Sequence, residues 1–219
     1  MFTNRQASEK FDKQILKNIK KFDILEIATG YFGSEIIERF EKDLIEISKK
    51  GHCKILIGMI FHGGVNKRQK QTLEKINKKL RKVNDKSGIY ILREEYHGKI
   101  YRFKNNKDET IYVGSSNFSN EGLSKRLECN IPVIDQKSKE NVSNFINFLF
   151  SHERTSNLEN VELKLKRKKR KIIKKTLNNY RRPPNLYPKE NPISETKIQL
   201  RPNLQPRSSL NLCFDKGKK

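Results

Sequence analysis

The chain has 219 residues, enough for one domain with a sizeable core and a further segment. Its 48 Lys and Arg against 25 Asp and Glu give a net charge of +23, which directs it toward polyanions. Three scattered cysteines, Cys53, Cys129 and Cys213, make neither a disulfide framework nor a metal-ligand spacing, and no apolar run is long enough for a signal peptide or a membrane span. A soluble cytoplasmic protein without a membrane partner is therefore expected.

In chain order, residues 8–21 carry Phe11, Ile15 and Ile19 at helical spacing, which predicts an amphipathic helix. Asp23 to Thr29 reads as a strand closing in Gly30-Tyr31-Phe32-Gly33. Ser34 then caps a second helix with Ile37, Phe40, Leu44 and Ile47 on its apolar face, and Gly51 ends it. Cys53 to Ile60 reads as a buried strand, and a strand–helix–strand unit of this kind predicts parallel strands with a right-handed crossover. Phe61-His62-Gly63-Gly64 follows as a loop, then a basic helix over 66–83 with Leu73, Ile76 and Leu80 on one side. A strand over 89–92 leads into a hairpin, and a helix over 138–150 with Val142, Phe145, Phe148 and Leu149 closes the domain. The expected fold is α/β, a mixed β-sheet flanked by helices. His52 follows a helix-ending glycine, where the helix dipole favours it, and His152 at a helix end reads as structural. His62 suits a surface loop or a substrate groove equally.

The chemistry concentrates between His97 and Glu128. Apolar and aromatic residues at 100–103 and 111–113 flank the turn material Lys104 to Glu109, which predicts an antiparallel hairpin. If the hairpin centres on Lys107, paired residue numbers sum to 214, so His97 faces Asn117 and Lys99 faces Ser115. Residues two apart in a strand share a face, and directly opposed Cβ atoms lie ~5 Å apart. An imidazole, an ammonium, a hydroxyl and an amide then form one cluster suited to a bound phosphate. In Leu127 to Val133 the apolar residues fall at 127, 129, 131 and 133, which turns Glu128 to the opposite face, within reach of an imidazole. A carboxylate there would fix a His tautomer.

His97-Gly98-Lys99, Gly114-Ser115-Ser116-Asn117 and Glu128 together resemble the single His-Lys-Asn motif of phospholipase D superfamily nucleases. The spacing is most similar to that of the metal-independent type II restriction endonucleases of the NgoFVII and BfiI kind. The resemblance implies a phospholipase D-like sheet over residues 1–155, with His97 as nucleophile and Lys99 and Asn117 as the phosphate-holding pair. Ser115 would assist at the phosphate, and Glu128 would orient His97. It implies no metal and no cofactor, in keeping with the lack of metal-ligand spacing. One motif per chain implies a homodimer through the catalytic face, with double-stranded DNA as substrate and a cognate DNA methyltransferase in the same system. The broad superfamily pattern has an Asp five residues after the Lys, where this chain has Lys104; Asp108 is off register.

Beyond residue 155 the composition changes. Residues 151–219 hold 19 basic and 6 acidic groups, and six of the seven prolines stand at or after Pro183. Residues 156–191 read as a basic helix and linker. There Lys164, Lys166, Arg167, Lys168, Lys169, Arg170, Lys171, Lys174 and Lys175 are candidate DNA-backbone contacts or a solvated run. Residues 192–219, with Ile198-Gln199-Leu200 and Ser208 to Leu212, resemble the opening of the B3-like DNA-recognition domain of these enzymes, cut short.

Three other readings compete. A phospholipase or cardiolipin synthase-type enzyme would use the same chemistry, but with two motifs per chain and apolar membrane-facing segments. A non-catalytic DNA-binding remnant explains the charge but not the motif. A repair or helicase-linked nuclease of the same superfamily shares the catalytic residues, so gene context would have to separate it from a restriction enzyme.

Overall fold

The computed structural model describes residues 1–166 and, separately, two short strands, Gln199–Leu200 and Leu212–Cys213, which pair antiparallel. The runs Ile24–Thr29 (β1), His52–Ile57 (β2) and Gly88–Leu92 (β3) lie parallel, with Ile27 opposite Ile55 and Ile55 opposite Ile89. Such strands are apolar nearly throughout because both faces of the sheet are covered. Lys99–Lys104 (β4), Glu109–Gly114 (β5) and Asn130–Pro132 (β6) extend the sheet antiparallel beyond β1, and Thr155–Asn157 (β7) pairs with β3. The seven-stranded mixed sheet has the order β6-β5-β4-β1-β2-β3-β7. Packing thus continues past residue 155, and Leu158 and Leu163 are also buried.

Helix Phe11–Lys21 (α1) buries Phe11, Ile15 and Ile19 as its spacing predicts, and Ser34–Lys50 (α2) buries Ile37, Phe40, Leu44 and Ile47. Gly33, not Ser34, is the N-cap of α2; Ser34 is the first helical residue. The expected buried strand ends at Ile57, and Ile60–Gly63 (α3) forms one helical turn where a loop is expected. The His62 side chain lies outside the described residues. Helix Lys67–Val83 (α4) opens with a capping box between Asn66 and Gln69 and buries Leu73, Ile76 and Leu80. These helices cover one face of the sheet, with Leu25, Ile27, Tyr101 and Phe103 beneath them.

Helix Gln136–Ser151 (α5) covers the other face, but in a different phase from the one its apolar residues suggest. Ser143, Ile146 and Leu149 point inward, while Phe145 and Phe148 are exposed and stack on each other at 6.3 Å. The cause lies beneath the helix. Glu26 of β1 and Arg102 of β4 are buried there and paired at 3.0 Å, and Arg102 also binds Glu109 at 2.7 Å. Buried charges require polar partners, so α5 turns Asn147 to Arg102 (3.0 Å) and Ser143 to Glu109 (3.2 Å). His52 joins the same network through Glu26 at 3.0 Å, a more specific role than proximity to a helix end. Burial pushes the Glu26 carboxyl up, but the hydrogen bond from His52 and the charges of Arg102, His52 and Lys54 outweigh it and leave its pKa below the ordinary value.

Beside β6, the chain's first residues form a strap. Phe2 exchanges backbone hydrogen bonds with Asn130 (2.8 and 2.9 Å), and the Asn4 amide donates to the carbonyls of Gly122 (2.9 Å) and Arg126 (3.1 Å). Asn4 sits at φ 58°, a conformation that Asn tolerates better than most side chains.

Candidate active site

The hairpin register differs from the expected one by a single residue. Tyr101 pairs with Tyr112 and Lys104 with Glu109, so paired numbers sum to 213. Asn105 is the cause. Its side-chain oxygen accepts from the Lys107 and Asp108 backbone N–H groups at 2.9 and 2.7 Å, which closes an even, four-residue loop. A one-residue shift in a sheet exchanges the faces of every side chain. His97, Lys99, Ser115 and Asn117 are therefore not gathered by the hairpin ladder. They are gathered by what happens after it ends at Gly114.

Beyond Gly114 the chain leaves the ladder and turns across the end of the sheet. Ser115 N–H donates to the Cys129 carbonyl at 2.9 Å, and the Ser115 hydroxyl accepts from Cys129 N–H at 3.0 Å. The next residue is sealed: Ser116 and Asn130 are fully buried, Asn130 Nδ2 donates to Ser116 Oγ at 2.6 Å, and the Tyr101 hydroxyl holds the Ser116 carbonyl at 2.7 Å. Asn117 then reaches the end of β1, where its Oδ1 accepts from Tyr31 N–H at 3.1 Å. A backbone N–H can only donate, so this contact fixes the amide orientation and leaves the Asn117 NH2 as a donor on the other side. Thr29 completes the corner, accepting from Phe118 N–H at 3.2 Å and donating to the Tyr31 carbonyl at 2.9 Å. Thr29 is also the β-ladder partner of Lys99, which ties the amide corner to the cation.

His97 arrives on the segment linking β3 to β4, which crosses the ends of β1 and β2. Two glycines permit the crossing. A Cβ at Gly58 would stand 2.5 Å from Tyr96 Cβ, and one at Gly30 would stand 3.2 Å from His97 Cα and Cδ2. Lys99 lies nearly buried at the start of β4, and its Nζ is 3.1 and 3.2 Å from His97 Nδ1 and Nε2 and also bonds the His97 carbonyl. A neutral imidazole offers one acceptor nitrogen, so the ammonium donates to one of the two at a time. Burial pushes the Lys99 pKa below the ordinary lysine value, and the Glu128 carboxylate partly offsets this.

Glu128 hydrogen-bonds the Ser115 hydroxyl rather than His97. The expected alternation around it also inverts. Asn130 is fully buried, whereas Leu127 and Ile131 are 75% and 50% exposed, because the strap from Phe2 and the buried Ser116 set the pairing of this segment. Lys164 and Lys166 are extended rather than helical: Val65 N–H donates to the Lys164 carbonyl at 3.0 Å, and Lys166 N–H donates to the Val65 carbonyl at 2.8 Å. Arg167, Lys168, Lys169, Arg170, Lys171, Lys174 and Lys175 lie outside the described residues, as do most of residues 192–219. Among the described residues, no three His, Cys, Asp or Glu side chains gather as a metal-ligand group, and no helix is long and apolar enough to cross a membrane.

A histidine, a lysine and an asparagine at the open end of a mixed, helix-flanked sheet define a phospholipase D superfamily nuclease fold. The chain belongs to the NgoFVII restriction endonuclease N-terminal PLD domain family, whose model matches residues 9–163. No curated protein sequence matches it. Solved structures are similar to this chain at low identity. Nuc, a phospholipase D family member from Salmonella typhimurium, is 17% identical with a TM-score of 0.50, over 67% of this chain and 89% of its own. NucT from Helicobacter pylori is 14% identical with a TM-score of 0.49, over 69% and 94%. Polyphosphate kinase from Porphyromonas gingivalis is also 14% identical, with a TM-score of 0.50, over 69% of this chain but only 23% of the kinase, so the chain spans about a quarter of that enzyme. Sequence reading missed Thr29 and Tyr31. The Gly-Tyr-Phe-Gly run that ends β1 is the available signal, since adjacent aromatic residues in an extended segment face opposite ways and only one of them, Phe32, enters the core.

Proposed function

We propose that the chain is a DNA endonuclease of the restriction type that hydrolyses phosphodiester bonds without metal, through a phosphohistidine on His97. The observation that carries this reading is the Lys99 ammonium 3.1 Å from the His97 ring nitrogen. A nucleophile and a fixed cation stand together, so a phosphate drawn to the cation arrives in reach of the imidazole. Lys99 and the Asn117 NH2 supply the positive charge and hydrogen bonds that would otherwise come from a metal, acting where charge builds on the pentacoordinate phosphorus. Ser115, polarised by Glu128, braces this side of the site. Glu128 thus acts through Ser115 and through the charge of Lys99.

The chemistry takes two steps. A neutral His97 nitrogen attacks phosphorus, the P–N bond forms, and the P–O bond to the leaving strand breaks. The departing oxygen takes a proton from a second, charged histidine. That histidine, now neutral, removes a proton from water; the hydroxide attacks phosphorus, the P–N bond breaks, and His97 is released. The second histidine is His97 of another copy of the chain, with a two-fold axis at the catalytic face. Lys164, Lys166 and the basic residues that follow to Lys175 hold the DNA backbone, and a DNA methyltransferase protects the host genome.

Trapping tests the covalent step. DNA carrying 32P at internal phosphates, quenched in alkali during turnover, should leave acid-labile label on the wild-type chain and none on His97→Ala. Cleavage with no labelled chain at any time point would overturn the phosphohistidine.

A further inference from the structure

We propose that Tyr31 is the surface on which the nucleoside attached to the scissile phosphate stacks, an inference that rests on the nuclease reading above. The ring lies 5.8 Å from the His97 ring at 77°, edge to face, yet the residue remains 47% exposed while its neighbour Phe32 is buried. An aromatic ring that served only to pack would be covered; this one presents its free surface beside the nucleophile.

Its backbone is tied to the residue that holds the phosphate. Tyr31 N–H donates to Asn117 Oδ1 at 3.1 Å and the Tyr31 carbonyl accepts from Thr29 at 2.9 Å, so the ring keeps its place relative to His97 and Asn117. Attack requires the phosphorus to lie about 3–3.5 Å from the imidazole nitrogen. A sugar and base carried on that phosphorus then fall against the next surface outward, which is the Tyr31 ring.

The ground beside the ring fits the rest of a nucleotide strand. A small cleft runs from Tyr31 past Gly30, Gly63 and Gly64 to Lys166. Phe32, Ile57, Met59, Ile60 and Gln69 complete its lining. The Lys166 backbone is fixed by its bond to Val65, and its ammonium-bearing chain passes 3.9 Å from where a Gly63 Cβ would stand. A flat π-surface followed by a cation matches a base followed by the next phosphate. Stacking of this kind tolerates any base, because every base has a π-face. The subsite therefore selects nucleic acid over other phosphodiesters without selecting sequence.

Two chromogenic esters test this. Thymidine 5′-(p-nitrophenyl phosphate) and methyl p-nitrophenyl phosphate break the same P–O bond and release the same phenolate; only the first leaves a nucleoside on the phosphorus. Wild type should prefer the nucleoside ester by about tenfold or more in kcat/KM. Tyr31→Phe should keep the preference, whereas Tyr31→Leu and Tyr31→Ala should bring the ratio close to one. The ratio is internal to each variant, so a partly unfolded preparation does not alter it. If Tyr31 merely oriented His97, both esters would slow together and the ratio would survive, which overturns the proposal. A wild-type ratio near one overturns it too, while leaving the nuclease reading in place. Cleavage of neither ester overturns both.

Discussion

Replacing Gly58 by Ala should slow catalysis far more than a methyl group on a loop ordinarily would. The new Cβ would lie 2.5 Å from Tyr96 Cβ and 2.7 Å from the Tyr96 carbonyl oxygen, against an ordinary carbon contact of about 3.5–4.0 Å. The Tyr96–His97 segment must therefore rise by roughly 1 Å at its base. Misplacing a reacting group by about 1 Å costs on the order of 10²-fold in rate, and overpacking of this kind costs ~1–3 kcal/mol of stability. The backbone at Gly58 is not in the left-handed region, so the substitution adds contact rather than backbone strain. Gly30→Ala provides the graded comparison. Its nearest contacts, at 3.1–3.2 Å to the Tyr96 carbonyl oxygen and His97, need only a few tenths of an ångström of relief, and its loss should be clearly smaller. Single-turnover DNA cleavage at saturating protein, with thermal melting to check folding, measures both. A folded Gly58→Ala that cleaves within twofold of wild type would refute the argument that this crossing sets the position of His97.

Cleavage should persist in excess EDTA; activity that vanishes on chelation and returns with magnesium would sink the proposed clamp. His97→Ala should abolish cleavage yet bind DNA at near wild-type affinity in a gel-shift titration, since charge elsewhere supplies most non-specific binding. Lys99 must be charged to hold phosphate, and burial lowers its pKa, so the alkaline loss of kcat/KM should begin below the ordinary lysine value of 10.5. Glu128 favours the charged lysine; Glu128→Gln should therefore move that limb to lower pH, and an upward move would contradict the assignment. Changing Lys164 and Lys166 to Gln should flatten the salt dependence of binding by about 0.9 in log–log slope for each lysine that meets a phosphate.

Much of this architecture is written in short-range patterns. Phe11, Ile15 and Ile19 specify the buried stripe of α1, and the Asn66 capping box marks the start of α4. The motif residues themselves could be picked from the sequence because few structural roles call for His-x-Lys and a Gly-Ser-Ser-Asn turn followed by a lone acid. Their assembly could not. The hairpin register depends on one side-chain oxygen of Asn105, and the pattern of apolar residues fits sums of 213 and 214 almost equally well. The phase of α5 depends on Glu26 and Arg102, two charges lying 76 positions apart whose pairing appears only when β1 and β4 meet. Alternation through Leu127 to Val133 turns Glu128 toward His97, but the buried bond of Asn130 to Ser116 outweighs the exposure of Leu127 and Ile131 and reverses it.

The strap at the start of the chain carries a consequence for biosynthesis. Asn4 grips carbonyls 118 and 122 positions downstream, in the arm that leads to Glu128. Contacts of such separation form late, because the intervening chain must first be ordered. On a ribosome they cannot form until residue 126 has cleared the exit tunnel, and Phe2 stays unpaired until Asn130 follows. The acid arm of the site is fastened only once nearly the whole nuclease domain exists. A nascent chain interrupted before that point would carry His97 and Lys99 without the brace that holds Ser115 and Glu128 beside them.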